Sequence, residues 1–155
     1  MTGFVRGALA GAAGTTALNA ITYADMALRA RPASTTPEQM VDKASTLTKI
    51  DIPGTRQERD NRVAGLAPLL GIGVGSGVGS VAGVIHHLLL GHGRRLPFVV
   101  GAVLVGASAM AASDLPLKLS GVSDPTTWTA KEWLADLAPH LAYGVVTEAV
   151  IRLTE

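Results

Sequence analysis

Asp114, Asp136 and His140 are the residues in this chain whose types could do chemistry together. A carboxylate and an imidazole exchange protons near neutral pH and can bind a proton, a cation or a small polar ligand. Asp136, His140, Tyr143 and Thr147 recur at helical spacing, so they form one stripe on one helix. Asp114 stands just before the Leu115–Pro116 break of the preceding apolar segment, and a short connection joins the two. The pair Asp114 and His140 is therefore expected within hydrogen-bond or one-water reach. Asn19 and Tyr23 add polarity to the first apolar segment. A plainer account also fits: Asp136 solvated among lipid headgroups, His140 bonded to a carbonyl freed by Pro139, and Asp114 capping a turn.

A second motif is the glycine run "GIGVGSGVGSVAG" at 71–83. Gly77, Gly79 and Ala82 match the dinucleotide fingerprint, but its chemistry needs a preceding strand and an acid about 20 residues on. Neither is present around Phe98 and Val99, and no Walker-type lysine follows. Gly71, Gly75, Gly79 and Gly83 instead recur every fourth residue, as do Gly3, Gly7 and Gly11. Small residues at that spacing let helix backbones approach closely, which is how helices associate in lipid. The expected partner of the run is either the first helix or a second copy of the chain.

Composition points to the same setting. The 155 residues are 48% hydrophobic and only 16% charged, with 18 glycines and a mean hydropathy of +0.34. Soluble domains carry about 25% charged residues. A net charge of +1 gives no case for nucleic acid, and the lack of cysteine excludes thiolate chemistry. Residues 63–93 hold no Asp, Glu, Lys or Arg, and 7–24 and 96–113 are likewise free of them. About 20 apolar residues cross a hydrocarbon core as a helix.

The expected fold is all-α: one domain, 1–155, forming a four-helix transmembrane bundle. Its spans fall at 4–28, 63–90, 97–115 and 133–153, with an amphipathic helix at 36–50 between the first two. Capping boxes are expected at Thr36–Gln39, Thr55–Glu58 and Thr129–Glu132. Trp128 and Trp133 suit interfacial anchors. His86, His87 and His92 read as interfacial histidines, and Glu148 has Arg6, Arg94 or Arg95 within plausible reach. No metal site, cofactor or catalytic set is expected. The expected partners are membrane lipid and, through the glycine faces, a second copy or another membrane protein.

"SDLPLKLSGVSDPTTW" followed by "EWLADLAPHLAYGVVTEAVIR" resembles the C-terminal half of the YagU-like family of small inner-membrane proteins. The residues that carry the resemblance are Pro116, Gly121, Pro125, Trp128, Asp136, His140, Glu148 and Arg152, about a quarter of the chain. Two spacings, Pro to Gly and Trp to His, differ from the family's, and the first connection lacks its cysteines. The resemblance implies a role in acid tolerance without an established activity, and cytoplasmic termini. Basic residues argue for the opposite orientation: nine lie on the side of the first and third connections and four on the other. The expected function is a structural or accessory multi-pass protein of the cell membrane, the alternative a small transporter or proton-linked permeation protein using the Asp/His stripe.

Overall fold

Local capping signals divide the chain into helices. In the computed structural model, which describes residues 2–155, the described residues form α1 (Gly3–Arg29), α2 (Thr36–Thr48), α3 (Arg56–Gly91), α4 (Phe98–Leu119) and α5 (Ala130–Leu153), with a 3-10 turn at Pro125–Thr127. No strand occurs among them. Capping boxes open α3 and α5: Thr55 and Thr129 accept from the backbone N–H of Glu58 and Glu132, whose carboxylates accept in return.

Two boundaries differ from expectation. Thr36 is already helical, and Thr35 is the cap, with the Gln39 amide donating to Thr35 Oγ1 at 3.0 Å. Ser34 Oγ takes the Thr36 N–H instead. Helix α4 also runs past Pro116 to Leu119, one turn beyond the expected stop. A proline removes one helical hydrogen bond, and the helix absorbs that loss until Gly121, at φ +72°, turns the chain.

The long helices pack antiparallel, each pairing fixed by close backbone approach. A Cβ at Gly79 would meet the backbone of Gly7 and Gly11, and one at Gly83 the backbone of Gly3 and Gly7. That places α1 against α3. Gly14 faces Tyr143 and Thr147, which places α1 against α5, and Gly144 meets Ala102 and Gly106, which places α5 against α4. Thus α1 sits between α3 and α5, while α3 and α4 touch less. Helix α2 covers the start of α3, where Val41 packs on Val63 and Ala67 with Ile52 beside them.

This arrangement gives the molecule two ends. The α2 end carries the first and third connections, and the far end carries the α3–α4 link and the start of α1. By length and composition, α3 and α4 are apolar enough to cross a membrane. Helices α1 and α5 do not reach that threshold, because Gly, Thr and Asn dilute the first and Asp136, His140 and Glu148 the second. A rise of about 1.5 Å per residue makes the 36-residue α3 roughly 54 Å long. That exceeds the ~30 Å of a hydrocarbon core, and the charges of α3 are confined to its first two turns, residues 56–62.

Candidate functional site

The polar cluster lies at the α2 end, where α4 finishes and α5 begins. Helix α5 turns His140 inward: its side chain is 11% exposed and that of Asp136 23%. His140 Nδ1 lies 2.8 Å from the Asp136 carbonyl oxygen. A carbonyl only accepts, so Nδ1 carries the proton and donates. Its Nε2 stands 3.4 Å from Ser113 Oγ.

Ser113, which the sequence reading did not single out, is the connecting residue. Its hydroxyl lies 2.9 Å from the Met110 carbonyl oxygen and 3.2 Å from Asp114 Oδ1. One hydroxyl proton cannot satisfy two acceptors and His140 Nε2 at once. Asp114 and His140 share no direct bond; Ser113 Oγ stands between them, and a continuous chain of hydrogen bonds through it requires a proton on His140 Nε2. Asp114 is also close enough to Asp136 and His140 to feel both charges. Asp136 Oδ2 is buried and has no hydrogen-bond partner. The cluster holds more acceptors than protons, a composition suited to taking up a proton.

An open cavity of about 430 Å³ adjoins it, between α1 and α5. Leu18, Thr22 and Arg29 form its α1 wall, Arg31 stands at the connection, and Trp128, Lys131, Asp136 and His140 line the α5 side. Asn19 is half-buried on α1 and absent from this wall, and Tyr23 is 60% exposed. Trp128 and Trp133 stack edge to face at 5.3 Å beside the mouth. Trp128 Nε1 donates to Ser123 Oγ, which ties the connection down.

Toward the middle of the molecule the stripe closes. Tyr143 is 1% exposed and its hydroxyl donates to the Gly75 carbonyl at 2.6 Å. Val105 and Ala109 pack on its ring, with Leu18, Val78 and Ala82 around them. Thr147 Oγ1 donates to the Ala10 carbonyl. The cavity is thus an open cleft that does not continue past Tyr143.

The glycines divide into two groups. Gly3, Gly7, Gly11, Gly75, Gly79 and Gly83 all lie where α1 and α3 touch. Gly71, which shares the spacing, has nothing within 4 Å. On α1 the four-residue spacing continues from Gly11 to Thr15, whose Oγ1 lies against Gly75, and Gly71 is left without a neighbour.

At the far end Glu148 is 1% exposed and lies over Gly101, where a Cβ would collide with its carboxylate. The residues that pair with it are Arg152 and His86, not Arg6, Arg94 or Arg95. The i,i+4 spacing of Glu148 and Arg152 was a usable signal in the sequence. His86 is buried rather than interfacial, because it continues the inward face of Gly75, Gly79 and Gly83. Among the described residues no group of His, Asp and Glu could hold a metal ion. Comparison of the chain with family models, curated proteins and solved structures gave no match.

Proposed function

We propose that the chain is a four-span integral membrane protein, a helical bundle of structural or accessory role, with a proton-binding cleft at its α2 end. One observation carries the membrane part. The most apolar stretches of α3 and α4 are only 22% buried within the molecule. Leu69, Val81, Val99 and Leu104 are each more than half exposed. A core helix of a soluble protein would bury such side chains, and apolar surface of this extent needs lipid or a partner against it. The close approach of α1 to α3 supports a glycine-zipper contact inside one chain, which leaves helix association independent of a second copy. The YagU-like resemblance belongs to the same proposal, since it too implies a small inner-membrane protein.

A second reading, proton-linked permeation, is favoured by the clustering of Asp114, Ser113, Asp136 and His140, of which Asp136 and His140 line the cavity. The Tyr143–Gly75 bond weighs against a through path. The two readings are separated by reconstituting the protein in liposomes under an imposed pH gradient. The structural reading expects wild type and Asp136→Asn to leak protons no faster than empty vesicles. A proton flux in wild type that Asp136→Asn abolishes would establish permeation instead. Recovery of native, monodisperse protein in buffer without detergent would overturn the membrane assignment itself.

A further inference from the structure

The far end of the molecule holds a second titratable cluster that neither reading uses. His86 on α3 lies between two carboxylates of the α5 segment. Its Nε2 is 3.2 Å from Glu148 Oε1 and its Nδ1 is 2.6 Å from Glu155 Oε1. The His86, Glu148 and Glu155 side chains are 11%, 1% and 13% exposed, although Glu155 as a residue is exposed. The Glu155 contact falls outside hydrogen-bond angles, so it is a charge contact at short range.

Both ring nitrogens therefore face oxygens that only accept. A neutral imidazole carries one N–H and must turn a lone pair toward one of the two carboxylates. The imidazolium donates to Glu148 from Nε2 and sets a positive charge beside Glu155. The other charges around it do not replace that function. From α5, Arg152 reaches Glu148 through Nε at 2.7 Å and Nη2 at 2.6 Å, and also holds the Leu96 carbonyl. Glu148 thus stays paired whatever the state of His86. From the α3–α4 link, Arg95 reaches Glu155 at 3.3 Å but is 69% exposed, and exposed pairs contribute little. Helix α1 brings Arg6 to this end, its Nε buried without a partner. Next to His86, His87 stands beside Gly3, and α4 contributes only Gly101 and the Phe98 ring under Arg152. Of the two cationic partners of Glu155, His86 is the closer and the less exposed.

We propose that His86 is a proton-operated latch, whose imidazolium fastens Glu155, and with it the end of α5, to α3. Release transfers the Nδ1 proton to solvent at this end, and no covalent bond changes. The latch is independent of the Asp114–His140 cluster, which lies at the opposite end of α5.

The chain has no cysteine, so Leu88→Cys and Leu153→Cys, both exposed, can carry spin labels on α3 and α5 of the full chain in nanodiscs. Ring ¹⁵N resonances follow the titration of His86, assigned by their loss in His86→Asn. As pH rises through that titration, the short, narrow interlabel distance should be lost to a broader, longer one. In Glu155→Gln the distribution should no longer depend on pH. A wild-type distribution constant across the His86 titration would overturn the latch, as would a pH dependence that Glu155→Gln leaves intact. Should His86→Asn fail to fold, Glu155→Gln still decides the matter, because Glu155 lies beyond α5.

Discussion

Ser113 decides how the polar cluster works at the scale of single residues. Because it stands between Asp114 Oδ1 and His140 Nε2, the energetic link between those two residues should pass through its hydroxyl. A double-mutant cycle of Asp114→Asn and His140→Gln, read as thermal stability in detergent, should give a coupling of about 1 kcal/mol. The same cycle repeated in a Ser113→Ala background should approach additivity. Equal coupling in both backgrounds would mean that Asp114 and His140 interact directly or through water, with Ser113 a bystander. The pairing was legible in part: the stripe on α5 and the short connection gave the neighbourhood. The intermediary was not, because nothing in a sequence tells which rotamer of a serine on α4 faces α5.

Between elements, the α1–α3 contact supplies a sharper test. A Cβ at Gly79 would run into the backbone of Gly7 and Gly11, whereas one at Gly77 would meet open space. Gly79→Ala should therefore force the helices apart and lower stability by roughly 1–3 kcal/mol. Gly77→Ala should be neutral or stabilise by up to about 1 kcal/mol, since alanine is the better helix former. Comparable melting temperatures for the two variants would remove α1 and α3 from close contact. Helix starts give a pH-dependent counterpart. The Thr55 backbone N–H and hydroxyl, both donating to Glu58, hold its carboxyl below the ordinary value of 4.5. The Thr129 hydroxyl and backbone N–H do the same to Glu132. A carboxylate depressed in the folded state stabilises above its unfolded pKa, and that contribution is lost as pH falls through the lower folded value. Glu58→Gln with Glu132→Gln should flatten the fall of melting temperature in that acidic window. An unchanged acid limb would show that these caps do not govern it.

For the whole molecule, the antiparallel arrangement places α2 and the α3–α4 link on opposite faces of the proposed membrane. With no native cysteine, Lys43→Cys and Arg94→Cys each give one thiol for a membrane-impermeant reagent. In intact cells Arg94→Cys should label and Lys43→Cys should not, following the excess of basic residues at the α2 end. The reverse pattern would keep four spans but support the orientation that the YagU-like resemblance implies. Labelling of both from one side would break the four-span bundle, and with it the one-sided cleft as a membrane feature.

Helix number, order and approximate ends followed from the sequence, because capping boxes, glycines and charge-free stretches act locally and leave a local record. Thr55–Glu58 and Thr129–Glu132 formed as read, while Pro116 misled, since one missing hydrogen bond near a helix end costs too little to stop it. The four-residue glycine spacing marked a close-packing face, yet it could not say which helix would occupy it or that Gly71 would fall outside. Only the tertiary register, set by Thr15 against Gly75, decided that. The same holds at the far end. Local spacing could pair Glu148 with Arg152 along one helix, but bringing His86 from 62 residues away into contact with Glu148 required the packing of α1 and α4 to hold the far ends of α3 and α5 across from each other.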